Sequence, residues 1–311
     1  MIQDIYPHQL NNHYDPGVQA KKEDTLLCIV NGRILVEETC FEENELRFPR
    51  VKDLADEYVA DIRYLFAIDD SRYFLCDHLL EQKDIPEGYA YVDEKSLRKE
   101  GIGPDEAIFA AVTGKHLADW YRDTKFCGRC GHEMQHSKTE RAMVCPACHY
   151  TAYPRIMPAV IVGVINGDKL LITRYRTGFA YNALIAGFTE IGETAEQTVA
   201  REVMEEAGIR VKNIRYYASQ PWGIANDLLL GYYCELDGDS TIHMDTQELK
   251  YAQWVKRENI ILQPDDASLT NEMMQKFRDG EIRNINHVNT FWAISHKDCA
   301  ADASSNFSSD E

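Results

Sequence analysis

Short runs of apolar residues separated by turn-forming pairs open the patterned part of this chain. TLLCIV and RILVEE flank Asn31-Gly32, which accepts the positive φ of a type I′ turn, and so predict a β-hairpin. RYLFAI and RYFLC around Asp69-Asp70-Ser71 predict a second. Between Pro104 and about Phe126 the spacing becomes helical, with Ile108, Ala111, Val112, Leu117, Trp120 and Tyr121 on the apolar side. Pro104 suits the first helical position, Gly114 weakens or bends the middle, and the aromatics are read as core. After Pro154 the runs are nearly continuous. AVIVGVI and KLLITRY around Asn166-Gly167-Asp168 form another hairpin, ALIAGF follows, and IRYYASQ, LLLGYYCEL and YAQWV are strands. SLTNEMMQKFRDG is a closing helix. Residues 1 to about 20 read as an irregular leader, and 296–311 as a polar, disordered tail.

One helix stands out. Thr194 and Gln197 fit a capping box, and Gly208 suits the left-handed end, so the helix runs from Thr194 to just before Gly208. At about 100° per residue Val199, Ala200, Val203, Met204 and Ala207 share one arc, while Glu202, Glu205 and Glu206 fill the next. Solvated faces mix acids with bases; three gathered carboxylates repel and call for a hard divalent cation, Mg²⁺ or Mn²⁺. A bare acidic surface helix is the plainer alternative, and only the wider pattern decides against it.

Cysteines supply a second metal chemistry. Cys127-x2-Cys130 and Cys145-x2-Cys148 offer four thiolates to a tetrahedral, structural Zn²⁺, leaving no open position for water. The zinc stands in for a core that so short a segment lacks. His132, His136 and His149 are read as surface residues. Cys28, Cys40, Cys76, Cys234 and Cys299 are scattered thiols suited to a reducing compartment.

Composition narrows the rest. With 311 residues, 44% of them hydrophobic, the chain can form two domains with real cores. A net charge of -18 argues against non-specific polyanion binding, but allows a phosphorylated ligand held through a metal. MIQDIYPHQL lacks the pattern of a secretory signal, and no apolar run approaches the roughly 18 residues that span a bilayer. The expectation is a cytoplasmic protein with no membrane partner.

Residues 187–209, GFTEIGETAEQTVAREVMEEAGI, fit G-x5-E-x7-R-E-U-x-E-E-x-G-U, where U is aliphatic. Gly187, Glu193, Arg201, Glu202, Val203, Glu205, Glu206, Gly208 and Ile209 occupy its fixed positions. The stretch resembles an intact Nudix box. With the four cysteines upstream and Ser219-Gln220-Pro221-Trp222 downstream, the chain from about Arg98 onward is similar to the NADH pyrophosphatase (NAD⁺ diphosphatase) family. That resemblance implies an α+β protein: a Nudix α/β/α sandwich over 155–290, a zinc ribbon over 123–154, and a β-rich N-terminal domain with a connecting helix over 1–122.

The resemblance further implies metal-dependent hydrolysis of NAD(H) to nicotinamide mononucleotide and AMP. The alternatives are removal of NAD caps from RNA and hydrolysis of another nucleoside diphosphate derivative such as ADP-ribose. A zinc-ribbon protein that binds nucleic acid or senses a ligand is the rival of another class. Glu202 and Glu206 become principal Mg²⁺ or Mn²⁺ ligands, with Glu248 and the Ala186 carbonyl opposite. Glu205 is a further ligand or the general base. Arg201 and Glu193 fix the loop through an ion pair. Arg98, Glu140, Tyr153, Phe188, Gln220, Pro221 and Trp222 are the expected substrate contacts. The family pattern continues SQPW into PFPxS, whereas this chain has Gly223, Ile224, Ala225, Asn226 and Asp227, which hold the position of that loop. The family also implies a homodimer.

Overall fold

The computed structural model describes residues 1–98, 102–178 and 180–282. The expected tail at 296–311, Cys299, the last residues of the expected 155–290 domain and the side chain of Arg98 lie outside the described residues.

The N-terminal part is β-rich. Strands β1 (Leu10–Asn11), β2 (Thr25–Val30), β3 (Arg33–Glu37), β4 (Arg63–Ile68), β5 (Ser71–Cys76) and β6 (Tyr89–Asp93) form one sheet in the order β1-β4-β5-β2-β3-β6. Two one-turn helices, α1 (Cys40–Glu43) and α2 (Asp56–Val59), lie in its connections. β2 and β3 pair antiparallel about Asn31 and Gly32, at φ 53° and 72°, as a type I′ turn requires. β4 and β5 form the second hairpin, turning on Asp69 and Asp70.

Helix α3 (Asp105–Asp123) lies against this sheet. Pro104 is its N-cap, with extended backbone, rather than its first helical residue. Trp120 and Tyr121 are buried, as core aromatics should be. The helix runs on through Gly114 without a break. A Cβ there would overlap Leu27 Cδ1, so the glycine lets α3 approach β2 closely. The leader also departs from expectation: Ile2 and Ile5 are buried, and Ile2 N donates to the Ala267 carbonyl at 2.9 Å.

The ribbon carries β7 (Gln135–His136), β8 (Met143–Val144) and β9 (Thr151–Ala152) in a three-stranded sheet. It does not stand on its cysteines alone, because Met134, Met143, Cys127 and Cys145 belong to the same hydrophobic cluster as α3 and the N-terminal sheet. The four cysteine sulfurs lie within 4.8 Å of one another, the convergence a tetrahedral zinc needs. Backbone amides, that of Cys148 first, draw the Cys145 thiol down to about 6, toward the thiolate that ligates. His136 is exposed, and its Nε2 accepts from Arg63 Nε at 2.9 Å, so it is no zinc ligand.

The rest is a mixed sheet between two helices. β10 (Met157–Asn166), β11 (Lys169–Tyr175), β12 (Ile185–Phe188), β13 (Val211–Trp222), β14 (Asp227–Leu236) and β15 (Leu249–Lys256) run β13-β14-β10-β11-β15, with β12 paired antiparallel to β10. Helix α4 (Ala195–Ala207) covers one face, where Val199, Val203 and Ala207 meet Val160, Val162 and Ile185. Helix α5 (Leu269–Arg278) covers the other, where Met273, Met274 and Phe277 meet Ala159, Ile161 and Leu184. The result is an α/β/α sandwich.

Two stability predictions follow from these contacts. Gly114→Ala ought to improve helix propensity, yet the overlap with Leu27 should dominate and lower stability by about 1–3 kcal/mol, read by urea denaturation. Cys127→Ser should release the zinc, measured by elemental analysis, and lower the melting midpoint by several degrees; a variant that keeps both its zinc and its midpoint would show that the sulfurs hold no structural ion.

Candidate active site

The capping box forms as its sequence demands. Thr194 Oγ1 accepts from Gln197 N at 3.3 Å, Gln197 Oε1 accepts from Thr194 N at 2.8 Å, and Gly208 ends α4 at φ 67°. The buried arc is rotated from the one expected. Ala200 and Met204 are exposed, whereas Thr198 and Glu206 are buried with Val199, Val203 and Ala207. Glu206 is therefore a core carboxylate, only 2% exposed, and not a surface one.

Arg201 fastens the loop before α4 to the helix. Its guanidinium donates to both carboxylate oxygens of Glu193 at 2.7 and 3.0 Å, to Glu202 at 2.8 Å, to Glu205 at 2.9 Å and to the Phe188 carbonyl at 2.9 Å. This fork, helped by the Thr198 hydroxyl at 2.9 Å, pulls the Glu193 carboxyl down to about 2. Gly187 is where β12 passes beneath Glu202; any Cβ would collide with that carboxylate.

Glu248 comes from the chain before β15 and is brought in by backbone bonds at the end of α4. His243 N donates to the Ala207 carbonyl at 2.8 Å and Asp245 N to the Glu206 carbonyl at 2.9 Å. Those acceptors are among the carbonyls that a helix end leaves unpaired. Arg176 N then holds the Glu248 carbonyl at 2.9 Å.

Glu206, Glu202 and Glu248 thus lie within electrostatic reach of one another. Burial first, then the neighbouring charges of Glu202 and Glu248, pushes the Glu206 carboxyl up to about 8, against a bond from the Ala186 amide. Burial also raises Glu202, opposed by Arg201. Glu206 Oε2 is buried without a hydrogen-bond partner. The carboxylates are not drawn as close as the zinc thiols, the one group among the described residues to converge within 4.8 Å. Glu205 is exposed and turned onto Arg201. Tyr175, which nothing in the sequence marked, also lies here: burial and then Glu206, Glu248 and Glu202 hold its phenol protonated.

The expected substrate contacts separate into two groups. Phe188 is 51% exposed beside the box, and Tyr153 is exposed with its hydroxyl donating to Glu140 at 3.2 Å. Pro221 and Ala225 are also exposed. Gln220 is not available. It is fully buried, its Nε2 donates to Gln3 Oε1 (3.1 Å) and the Ala267 carbonyl (2.8 Å), and its Oε1 accepts from Leu269 N (2.7 Å) at the start of α5.

Trp222 packs against the cluster beneath α5. The turn after it folds back onto α3 instead of opening outward. Gly223 is buried where a Cβ would strike the Val112 carbonyl, and Lys115 Nζ donates to the Ile224 carbonyl at 2.7 Å. Asn226, at φ 64°, donates to Asp119 at 3.4 Å. Burial pushes the Asp227 carboxyl up to about 6, and its Oδ1 has no partner. The physical reason is the tight Gly-containing turn, which stands where the family pattern has prolines and seats its backbone on α3.

Comparison with known proteins identifies the two C-terminal domains. Residues 155–277 match the family model described as NUDIX domain, and residues 122–153 that of the NADH pyrophosphatase zinc ribbon domain. The NAD-capped RNA hydrolase NudC of Shigella flexneri is 44% identical over 181 residues, covering 57% of this chain and 69% of the relative. The protein of the same name from Escherichia coli O1:K1 / APEC is 43% identical, with the same coverage. A solved NUDIX hydrolase from Nitrosomonas europaea is similar over 50% of this chain and 91% of its own, at 23% identity and a TM-score of 0.45. With the box, the ribbon and relatives of this identity in agreement, the chain belongs to the NADH pyrophosphatase family of Nudix hydrolases.

Proposed function

We propose that the chain hydrolyses the pyrophosphate bond of NAD(H), giving nicotinamide mononucleotide and AMP, and cleaves the same bond in NAD-capped RNA. The relatives named NAD-capped RNA hydrolase support the substrate class. The observation that carries the chemistry is Glu206: a buried carboxylate beside Glu202 and Glu248, with one oxygen unpartnered. An acid cluster of this kind is unfavourable until a cation joins it, and all-oxygen donors suit Mg²⁺ or Mn²⁺. Glu202, Glu206, Glu248 and the Ala186 carbonyl would hold that ion. When bound, it neutralises phosphoryl oxygens and acidifies water.

The chain's own residues do the remainder. Water adds to one phosphorus, the bridging P–O bond breaks, and the bridging oxygen leaves with the other nucleotide as its phosphate. Glu205, exposed at the edge of the cluster, accepts the water's proton. Arg201 keeps the loop and α4 in register, and Phe188 with Tyr153 offers ring faces to a base or nicotinamide. Exposed Phe126, Tyr153 and Ile156 around the ribbon support a homodimer as part of the same reading. No described helix is long and apolar enough to cross a membrane.

Incubating NADH, ADP-ribose and NAD-capped RNA with Mg²⁺ or Mn²⁺ and resolving the products by chromatography tests the reading. Nicotinamide mononucleotide plus AMP, and 5′-monophosphate RNA, are expected; faster cleavage of ADP-ribose, or cleavage that needs no metal, would overturn it. Glu206→Gln should lower turnover at least about 100-fold, while at about pH 5, in protein free of Mg²⁺ and Mn²⁺, its melting midpoint matches the wild type.

The pH dependence has a definite sign. Between the ordinary 4.5 and about 8 the folded protein holds a proton on Glu206 that the unfolded chain has lost. Without Mg²⁺ or Mn²⁺, this group therefore makes stability fall as pH rises through that window. Melting midpoints from pH 5 to 8.5, taken without chelator so that the ribbon keeps its zinc, should show a fall for the wild type that is smaller in Glu206→Gln. Equal slopes would remove Glu206 as the cause.

A further inference from the structure

β11 brings two polar side chains to the end of the sheet. Tyr175 lies with the carboxylates; its neighbour Arg174 lies elsewhere. The Arg174 guanidinium sits 5.3 Å from the centre of the Tyr251 ring, and its Nη2 donates to Asn182 Oδ1 at 2.9 Å. Asn182 is itself immobilised. Its Oδ1 also accepts from the Tyr251 hydroxyl at 2.7 Å, its Nδ2 donates to the Ile261 carbonyl at 3.0 Å, and its carbonyl accepts from Gln263 at 2.9 Å.

Held this firmly, Arg174 is still short of partners. Its Nε is buried without a hydrogen bond, and among the described residues no carboxylate pairs with it. A guanidinium keeps its charge and presents five N–H donors in a fixed fork. Holding such a group half-buried, with one donor sealed from water and no counter-charge beside it, is unfavourable unless something else brings an anion. The location suggests what does. Asn182 leads through Ala183 into β12, which carries Ala186 and Phe188, and both Ala186 and Tyr251 pack against the cluster beneath α5.

We propose that Arg174, backed by Asn182 and Tyr251, is an anion clamp that grips a phosphate oxygen of the bound dinucleotide from the α5 side of the sheet. This rests on the reading of the site as a dinucleotide pyrophosphatase. The diphosphate is then neutralised from two directions, by the cation at the acid cluster and by a planar fork across the strand. The fork recognises phosphate and ignores the uncharged nucleoside.

The test is calorimetric and needs no turnover. AMP, nicotinamide mononucleotide and their nucleosides are titrated into the full-length wild type and Arg174→Gln in Mg²⁺ buffer, beside KM and kcat for NADH. Loss of one charge-assisted fork should weaken at least one nucleotide about tenfold, leave its nucleoside unchanged, and raise KM with kcat kept within about threefold. Equal changes for nucleotide and nucleoside, or none, would overturn the clamp. If Arg174→Gln does not fold by circular dichroism, Arg174→Lys is measured instead; it keeps the charge but not the fork, and its nucleotide affinity should fall while its nucleoside affinity holds. Should the wild type leave NADH intact, the enzymatic reading fails, and the nucleotide-to-nucleoside comparison still decides Arg174.

Discussion

The pocket depends on one guanidinium. Arg201 reaches Glu193 with two nitrogens and spends its remaining donors on Glu202, Glu205 and the Phe188 carbonyl. Only a planar fork can serve acceptors in a loop, along a helix and at a strand end at once; an ammonium is a point charge. The fork sets β12 under α4 so that Gly187 faces Glu202. It also sorts the acids. Glu193, Glu202 and Glu205 share its charge, while Glu206 has only the Ala186 amide. The carboxylate left over, Glu206, is the one the proposed reading gives to a cation, and it stands where the arginine's reach ends.

A second constraint joins the two halves of the chain. Helix α3 shares its core with the ribbon and the N-terminal sheet, and its exposed side meets the sandwich. Lys115 holds the Ile224 carbonyl, and His116 Nε2 donates to the Arg155 carbonyl at 2.8 Å, just before β10 begins. Burial keeps His116 below its ordinary range, suited to donating one N–H from a neutral ring. The turn after Trp222 is therefore a joint between domains as much as an edge of the site.

Features whose cause is local could be read from the residues. The Asn31-Gly32 turn, the capping box, the Gly208 terminus and the cysteine spacing each depend on a few neighbouring positions. The box could be read because its spacing is fixed. Features set by tertiary packing could not. Glu206 and Met204 trade places because the loop at 243–249 closes over α4 beside Glu206 and leaves Met204 to solvent. Gly114 looks in the sequence like a helix weakness because Leu27 is distant along the chain, and Gln220 looks like a contact because the α5 terminus it caps comes 49 residues later. Tyr175 and Arg174 end a strand whose alternation says only which face each takes.

Charge explains why these local devices are needed. A protein of net charge -18 repels a diphosphate at long range, so encounter gains nothing from its overall field. In cellular salt that field is screened within about 8 Å. Affinity must therefore come from contacts inside that distance, and on the proposed reading these are of three kinds: an acid cluster that borrows positive charge from a cation, ring faces that need no charge, and the half-buried Arg174 guanidinium. The acids cannot bind the phosphates unaided, so on that reading the cation belongs to recognition as well as to catalysis. A half-buried arginine meets less competition from water for its donors than an exposed one. The acidic surface then serves selectivity: it disfavours polyanions held by many weak surface contacts and leaves a short diphosphate, gripped at its centre, as the ligand that fits.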